Sequence, residues 1–292
     1  MRPIRIELYA NKENDLHMTV LGVGDAGEKA VKKTPFVSDG DTFGYFSTLT
    51  FCSDSIIRNP NRLFCDFDDP VSIRAEFDEI IKETDWLFIV ADISNEEDLK
   101  HALYYAELHK DIARCPFDTL VEIGNPVAER FGASEMFDLT ISVERGDEAY
   151  KPIDMLISGI PAGDIGLDFA DIMYVAKKSP VMKFAQEKIP KVDQLEQVMV
   201  SLQRQLAETG SNDEIKNMMV LYNAPAYCPL EDIEYMDEYL NGLANGGDII
   251  WQIKFHDEAD DRFAVSLLYG VQEKGKDDKL PKWKVLEFSD LE

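Results

Sequence analysis

With 292 residues, 45% of them apolar and 10% aromatic, the chain can bury a sizeable core in one large domain or two ordinary ones, and its composition is not that of a disordered protein. Its 56 Asp and Glu against 30 Lys and Arg give a net charge of −26, which argues against nucleic acid and anionic membranes, since both require cationic patches. No apolar run approaches the roughly 20 residues of a membrane span. Met1 to Leu8 alternates like a strand and lacks the apolar block of a signal peptide, so a cytoplasmic protein without membrane insertion is expected. Cys52, Cys65, Cys115 and Cys228 form no CxxC pair and read as reduced, mostly buried thiols.

Met18 to Lys33 reads as a buried strand (Val20, Leu21), a glycine turn from Gly22 to Gly27 and a helix from Glu28. Gly22, Gly24 and Gly27 have the GxGxxG spacing. Glycines there let the backbone turn sharply and approach a ligand, and the helix start aims free N–H groups at an anion. The same turn also serves as a plain βα connection. Tyr45 to Cys52 is β-rich, Leu63 to Cys65 a short strand, and Val71 to Glu83 an amphipathic helix with Ile73, Phe77, Ile80 and Ile81 on one face. Asp85 to Ala91 is the continuous apolar run of a parallel strand buried on both sides. A helix from Glu96 to Lys110 follows, then strands at Phe117 to Ile123 and Phe137 to Val143.

This alternation predicts an α/β, doubly wound, mostly parallel, Rossmann-like domain over residues 1–175, with its ligand edge at the carboxyl ends of the strands. That edge gathers the glycine turn, Asp54, Asp66 to Asp69 and Asp92 to Asp98. His101 and His109 lie eight apart on the predicted helix, near Glu97, but no metal site is expected there. Residues 176–273 read as a smaller α+β domain, the boundary falling between Asp171 and Asp193. Asp193 caps a helix with Leu195, Val198, Leu202 and Leu206 inward. Met218 to Asn223 is a strand. Pro229 opens a helix carrying Leu230, Ile233, Met236, Leu240 and Leu243. Asp248 to Phe255 and Arg262 to Gly270 are expected to pair as a hairpin. Residues 274–292 form a tail.

Four stretches in this order resemble the tubulin/FtsZ superfamily of cytoskeletal GTPases. VLGVGDAGEKAV resembles the family's first phosphate loop, placing Gly22, Gly24, Asp25, Ala26 and Gly27 on it. TFCSDSIIRNPNRLF resembles the stretch that puts Asp54 on the family's aspartate. GDIGLDFADIMYV resembles the synergy loop, whose carboxylates act on the nucleotide of a neighbouring subunit; Asp168 and Asp171 match them, while Gly166 replaces an asparagine. NMMVLYNAPAYCPLEDIEYMDEYL through FAVSLLYGV resembles the C-terminal domain. The resemblance spans about Met18 to Val271.

The departures bear on activity. The family's glycine-rich signature loop aligns without a gap on Ala91 to Leu103, where every glycine is gone and Asp92, Glu96, Glu97 and Asp98 add negative charge. Two unit charges about 4 Å apart repel by about 4 kcal/mol at an effective dielectric of 20. Several such pairs against a triphosphate exceed the roughly 8 kcal/mol of a micromolar complex. The same residues also read as a helix N-cap with an acidic first turn. The base-reading region shrinks to Glu144 to Pro152.

The resemblance therefore implies a divergent filament component or filament regulator with weak or absent GTP binding and no resident cofactor. GTP or GDP with Mg²⁺ would be the cofactor if the ancestral site works. The implied partners are itself or an ordinary FtsZ-like protein, end to end. An active GTPase with an acidic phosphate loop, catalysed by Asp168 and Asp171, is one alternative. A Rossmann-type dinucleotide-binding protein using the three glycines with Asp54 on a ribose is the other.

Overall fold

The structure, a computed structural model, describes residues 6–8, 16–33, 47–51, 62–63, 81–82, 84–124, 136–159, 169–189, 195–207, 213–244, 246–256 and 261–273. Strand β1 is Ile6–Leu8, β2 Leu16–Val23, β3 Ser47–Phe51, β4 Arg62–Leu63, β5 Trp86–Ala91, β6 Phe117–Ile123 and β7 Leu139–Val143. Between them run α1 (Gly24–Lys32) and α2 (Glu96–Ile112), and after β7 come a single 3-10 turn and α3 (Tyr150–Gly159). Then follow α4 (Phe169–Lys178), β8 (Val181–Ile189), α5 (Leu195–Ala207), β9 (Asp213–Pro225), α6 (Leu230–Leu243), β10 (Ile249–His256) and β11 (Phe263–Glu273).

The described strands form one sheet in the order β10-β9-β11-β8-β7-β6-β5-β2-β3-β4, with β1 antiparallel beside β2. From β8 to β4 every pairing is parallel. Trp86, Leu87, Phe88, Ile89, Val90 and Ala91 of β5 are all fully buried, as a central strand covered on both faces requires. One core holds Val20, Phe88 and Ile141 together with Ile153 of α3 and Ile172 and Val175 of α4. The opposite face of the same strands meets α2 through Leu21, Leu87, Ile89, Leu99 and Ala106. A third core packs α5 and α6 on β8, β9 and β11, and buries Leu195, Val198, Leu202 and Leu206 on the predicted face of α5.

Several expectations change. Helix α1 starts at Gly24, not Glu28, so the turn is one residue rather than six. The predicted hairpin does not form. Strand β10 pairs parallel to β9, and β11 pairs antiparallel to β9 and β8, so β9 lies between the two. Both strands were predicted; periodicity reveals which face is buried but not which neighbour is hydrogen-bonded. Strand β8 was not predicted at all. Its polar residues sit on both parities, because each of its faces is only partly covered: Met182 and Phe184 join the first core, while Ala185 and Ile189 join the third. In α6, Ile233, Met236 and Leu240 face inward as expected, whereas Leu230 is exposed. The helix expected over Val71 to Glu83 lies outside the described residues except for Ile81 and Lys82, which are helical.

Candidate functional site

The carboxyl edge of the parallel strands is built from the ends of β2, β5, β6 and β7. Gly22, expected in the turn, is the last-but-one residue of β2 and pairs with Val90. Gly24 makes the turn alone, with φ +66°, a conformation open to glycine at little cost. Gly27 serves packing: a Cβ there would lie 2.1 Å from the Val90 carbonyl oxygen, so α1 rests directly on β5. Asp25 is exposed in the first turn of α1, and Ala26 packs partly against the first core.

The loop after β5 folds as a capped helix entry. Asp92 Oδ1 accepts from the Ser94 backbone N–H at 3.0 Å and from the Ser94 hydroxyl at 2.5 Å. Asn95 is the N-cap of α2 and accepts from the Glu97 N–H at 3.0 Å. Glu96 and Glu97 point to solvent, but Asp98 turns inward and is only 8% exposed. Its carboxylate lies against Gly24: a Cβ at Gly24 would stand 2.2 Å from Asp98 Oδ2 and 2.4 Å from Oδ1. The start of α1, with its outward N–H groups, therefore already faces an anion from the same chain. Burial first, then the charges of Asp92, Glu97 and Asp25, push the Asp98 carboxyl up to about 6.

Beside this, a cavity of about 200 Å³ opens at the ends of β6 and β7, lined by Gly124, Glu144, Arg145, Glu148, Lys183 and Tyr269 among others. Two cations of this region are paired: Arg145 with Asp147 at 3.0 Å, and Lys151 with Glu148 at 2.7 Å. The Arg145 guanidinium holds the Asp147 carboxyl below the usual range.

Of the two synergy-loop candidates, Asp171 belongs to the other end of the strands. Phe169, first residue of α4, packs its ring 5.1 Å from Trp86 and 5.4 Å from Phe117, which are the first residues of β5 and β6. Asp171, half-buried in the first turn of α4, is held at this edge. With about 3.3 Å per strand residue, the six residues of β5 put the Asp171 end and the Asp98 end at opposite poles. Asp168 and Asp54 lie outside the described residues. His109 is no partner for a metal with His101. It is fully buried, with Nδ1 2.5 Å from Asp118 Oδ1 and Nε2 donating to the Thr84 carbonyl at 2.9 Å. The sequence does not mark the inward turn of Asp98. Its only signal was its place as the third acid of the helix's first turn.

No protein-family profile matches the chain, and no curated protein sequence matches it. Solved structures do. The FtsZ dimer of M. jannaschii superposes with a TM-score of 0.68 at 15% identity, covering 93% of this chain and 96% of that one. A GTPγS-bound protofilament of CetZ2 from Haloferax volcanii gives 0.60 at 12% identity, covering 88% and 94%. GDP-form protofilaments of TubZ from Bacillus thuringiensis serovar israelensis give 0.62 at 10% identity, covering 87% and 85%. The architecture is thus a doubly wound α/β unit whose parallel sheet continues through β8 into a mixed half of the same sheet. In particular, it is the fold of the tubulin/FtsZ superfamily.

Proposed function

We propose that this chain is a divergent FtsZ-like filament component or filament regulator in which the inherited nucleotide site is closed by its own carboxylates, so that GTP binding is weak or absent. The observation that carries this reading is Asp98 on Gly24. The position that a phosphate would take against the start of α1 is filled by a nearly buried acid, and the glycines that would make room in the facing loop are replaced by Asp92, Glu96 and Glu97.

The opposite pole supports a role in end-to-end contact. Its α4 edge is well packed through Phe169 and presents Asp171. The matched FtsZ is a dimer, and the matched CetZ2 and TubZ form protofilaments. A subunit with one partly intact pole and one closed pole adds to the end of a filament of itself or of an ordinary FtsZ-like protein and stops it. Residues 1–175, 176–273 and 274–292 are then the nucleotide-type domain, the second domain and a tail.

The test is co-sedimentation and length measurement of an ordinary FtsZ with GTP and sub-stoichiometric amounts of this chain. Shortened filaments are expected, together with no GTP turnover by the chain alone. Unchanged filament length rejects the capping role. Turnover that disappears in Asp171→Ala rejects the closed site and supports an active GTPase.

A further inference from the structure

The second half of the sheet carries a concavity whose charge is the reverse of the chain's. Helix α3 and one face of β8, β11, β9 and β10 enclose a cavity of about 350 Å³, within the usual range of about 300–1,000 Å³ for small-molecule sites. Its walls carry Lys188, Lys254, Arg262 and His256 against one carboxylate, Asp154, in a chain where acids outnumber Lys and Arg by 56 to 30.

The strand register explains the convergence. Lys188 pairs with Ala264, Ala264 with Asn223, and Asn223 with Lys254, so these four form one cross-sheet row on a single face. The strands of such a row are about 4.8 Å apart, which sets the two lysines roughly 14 Å apart across a floor of small or polar side chains. Their flexible stems let both ammonium groups close over that floor. The next row is Gln186, Ser266, Leu221 and Gln252. There Gln186 donates to the Ser266 hydroxyl at 2.8 Å, while both amide atoms of fully buried Gln252 have no hydrogen-bond partner among the described residues. His256 caps the open end, its Nε2 donating to the Arg262 carbonyl at 2.8 Å.

We infer that this cavity is a binding site for a compact multivalent oxyanion, clamped between Lys188 and Lys254 over the Ala264–Asn223 floor, with Arg262 and His256 at its mouth. It is separate from the strand edge that bears Gly24 and Asp98, and it works whether or not that edge binds nucleotide. Asp154, on the α3 wall between the two lysines' reach, excludes a ligand that fills the cavity with charge alone and favours one that also carries a hydroxyl or a protonated oxygen.

Pyrophosphate and citrate are the probes, one for phosphoryl and one for carboxylate ligands. At about 100 times the dissociation constant, the better of them is expected to raise Tm by about 5 °C. It is also expected to slow acetylation of Lys188 and Lys254 several-fold, read by peptide mass spectrometry on the unmodified chain. The pair Lys188→Gln with Lys254→Gln abolishes the rise, and Arg145→Ala at the strand edge leaves it intact. The proposal is overturned if neither lysine is protected by about 10 mM of either probe. It is overturned equally if sodium chloride at matched ionic strength gives the same rise, which is general screening of an acidic chain. Should the double variant not fold, the protection pattern decides. Binding that needs the guanine base, with pyrophosphate inactive, belongs to the other edge.

Discussion

Asp98→Asn is the most direct probe of the closed strand edge. The substitution keeps the side chain's shape against Gly24 and removes only its charge. Folding lifts the Asp98 carboxyl from an ordinary 3.8 to about 6, so the folded state holds its proton more tightly than the unfolded chain does. The sign follows: stability from this group is full below about pH 3.8 and falls as pH rises through about 6. At about 1.4 kcal/mol per unit, the shift corresponds to roughly 3 kcal/mol at neutral pH. Asp25 and Glu97 are exposed, and water screens their repulsion. Two helix starts also attract the carboxylate by about 0.5 kcal/mol each. A net gain of about 1–2 kcal/mol at pH 7.5 remains for the asparagine, which is about 2–3 °C in Tm for a chain of this length, and close to nothing at pH 4. The assay is thermal or urea unfolding of both proteins across that range. An asparagine variant equal to or less stable than the parent at pH 7.5 refutes the reasoning. It would mean that Asp98 is a favourable cap whose charge α1 needs.

Other outcomes follow from the same geometry. Gly24→Ala forces a Cβ into a left-handed residue and onto the Asp98 carboxylate; it should cost about 2–3 kcal/mol by urea unfolding, and Asp98→Gly in the same chain should restore part of it. His109→Ala leaves the buried Asp118 without its partner and should cost about 3–5 kcal/mol, whereas His109→Leu with Asp118→Leu should be far milder, as a double-mutant cycle will read. Phe169→Ala opens the Trp86–Phe117 cluster and should cost about 2–3 kcal/mol, with a change in near-ultraviolet circular dichroism. Exposed Cys115 should react with a maleimide, while Cys228, buried and pushed up to about 11, should react only on unfolding; peptide mapping separates the two.

Much of the parallel half of the sheet is legible because its central strand is apolar without interruption. Trp86 to Ala91 is such a run and lies buried on both faces, whereas Phe117 to Ile123 is read as a strand despite Asp118, Thr119 and Glu122, all of which it buries. The glycine turn was legible as a motif but not in its division of labour: Gly22 lies in a strand, Gly24 makes the turn, and Gly27 lets helix meet strand. The acids at Glu96 to Asp98 were readable as a helix entry. Which one turns inward depends on the position of α1 across the sheet, which no local pattern encodes. The cationic cavity is invisible in the sequence, since Lys188, Lys254 and Arg262 come together only through the register of β8, β11, β9 and β10, with Asp154 added from α3. Of the two cysteines among the described residues, Cys228 is buried as expected and Cys115 is exposed.

Strand β8 has a mechanical consequence. It hydrogen-bonds to β7 on one side and β11 on the other, and its alternate side chains are walls of two different cores. A slip by one residue would swap Met182 and Phe184 with their polar neighbours in one core and expose Ala185 and Ile189 in the other. The halves are therefore joined by a common beam rather than by a hinge. A chain cut before β8 strips a wall from the first core, and one cut after it strips a wall from the third. Heating should melt both halves in a single transition, and force applied between the poles should travel through β8 before either half deforms.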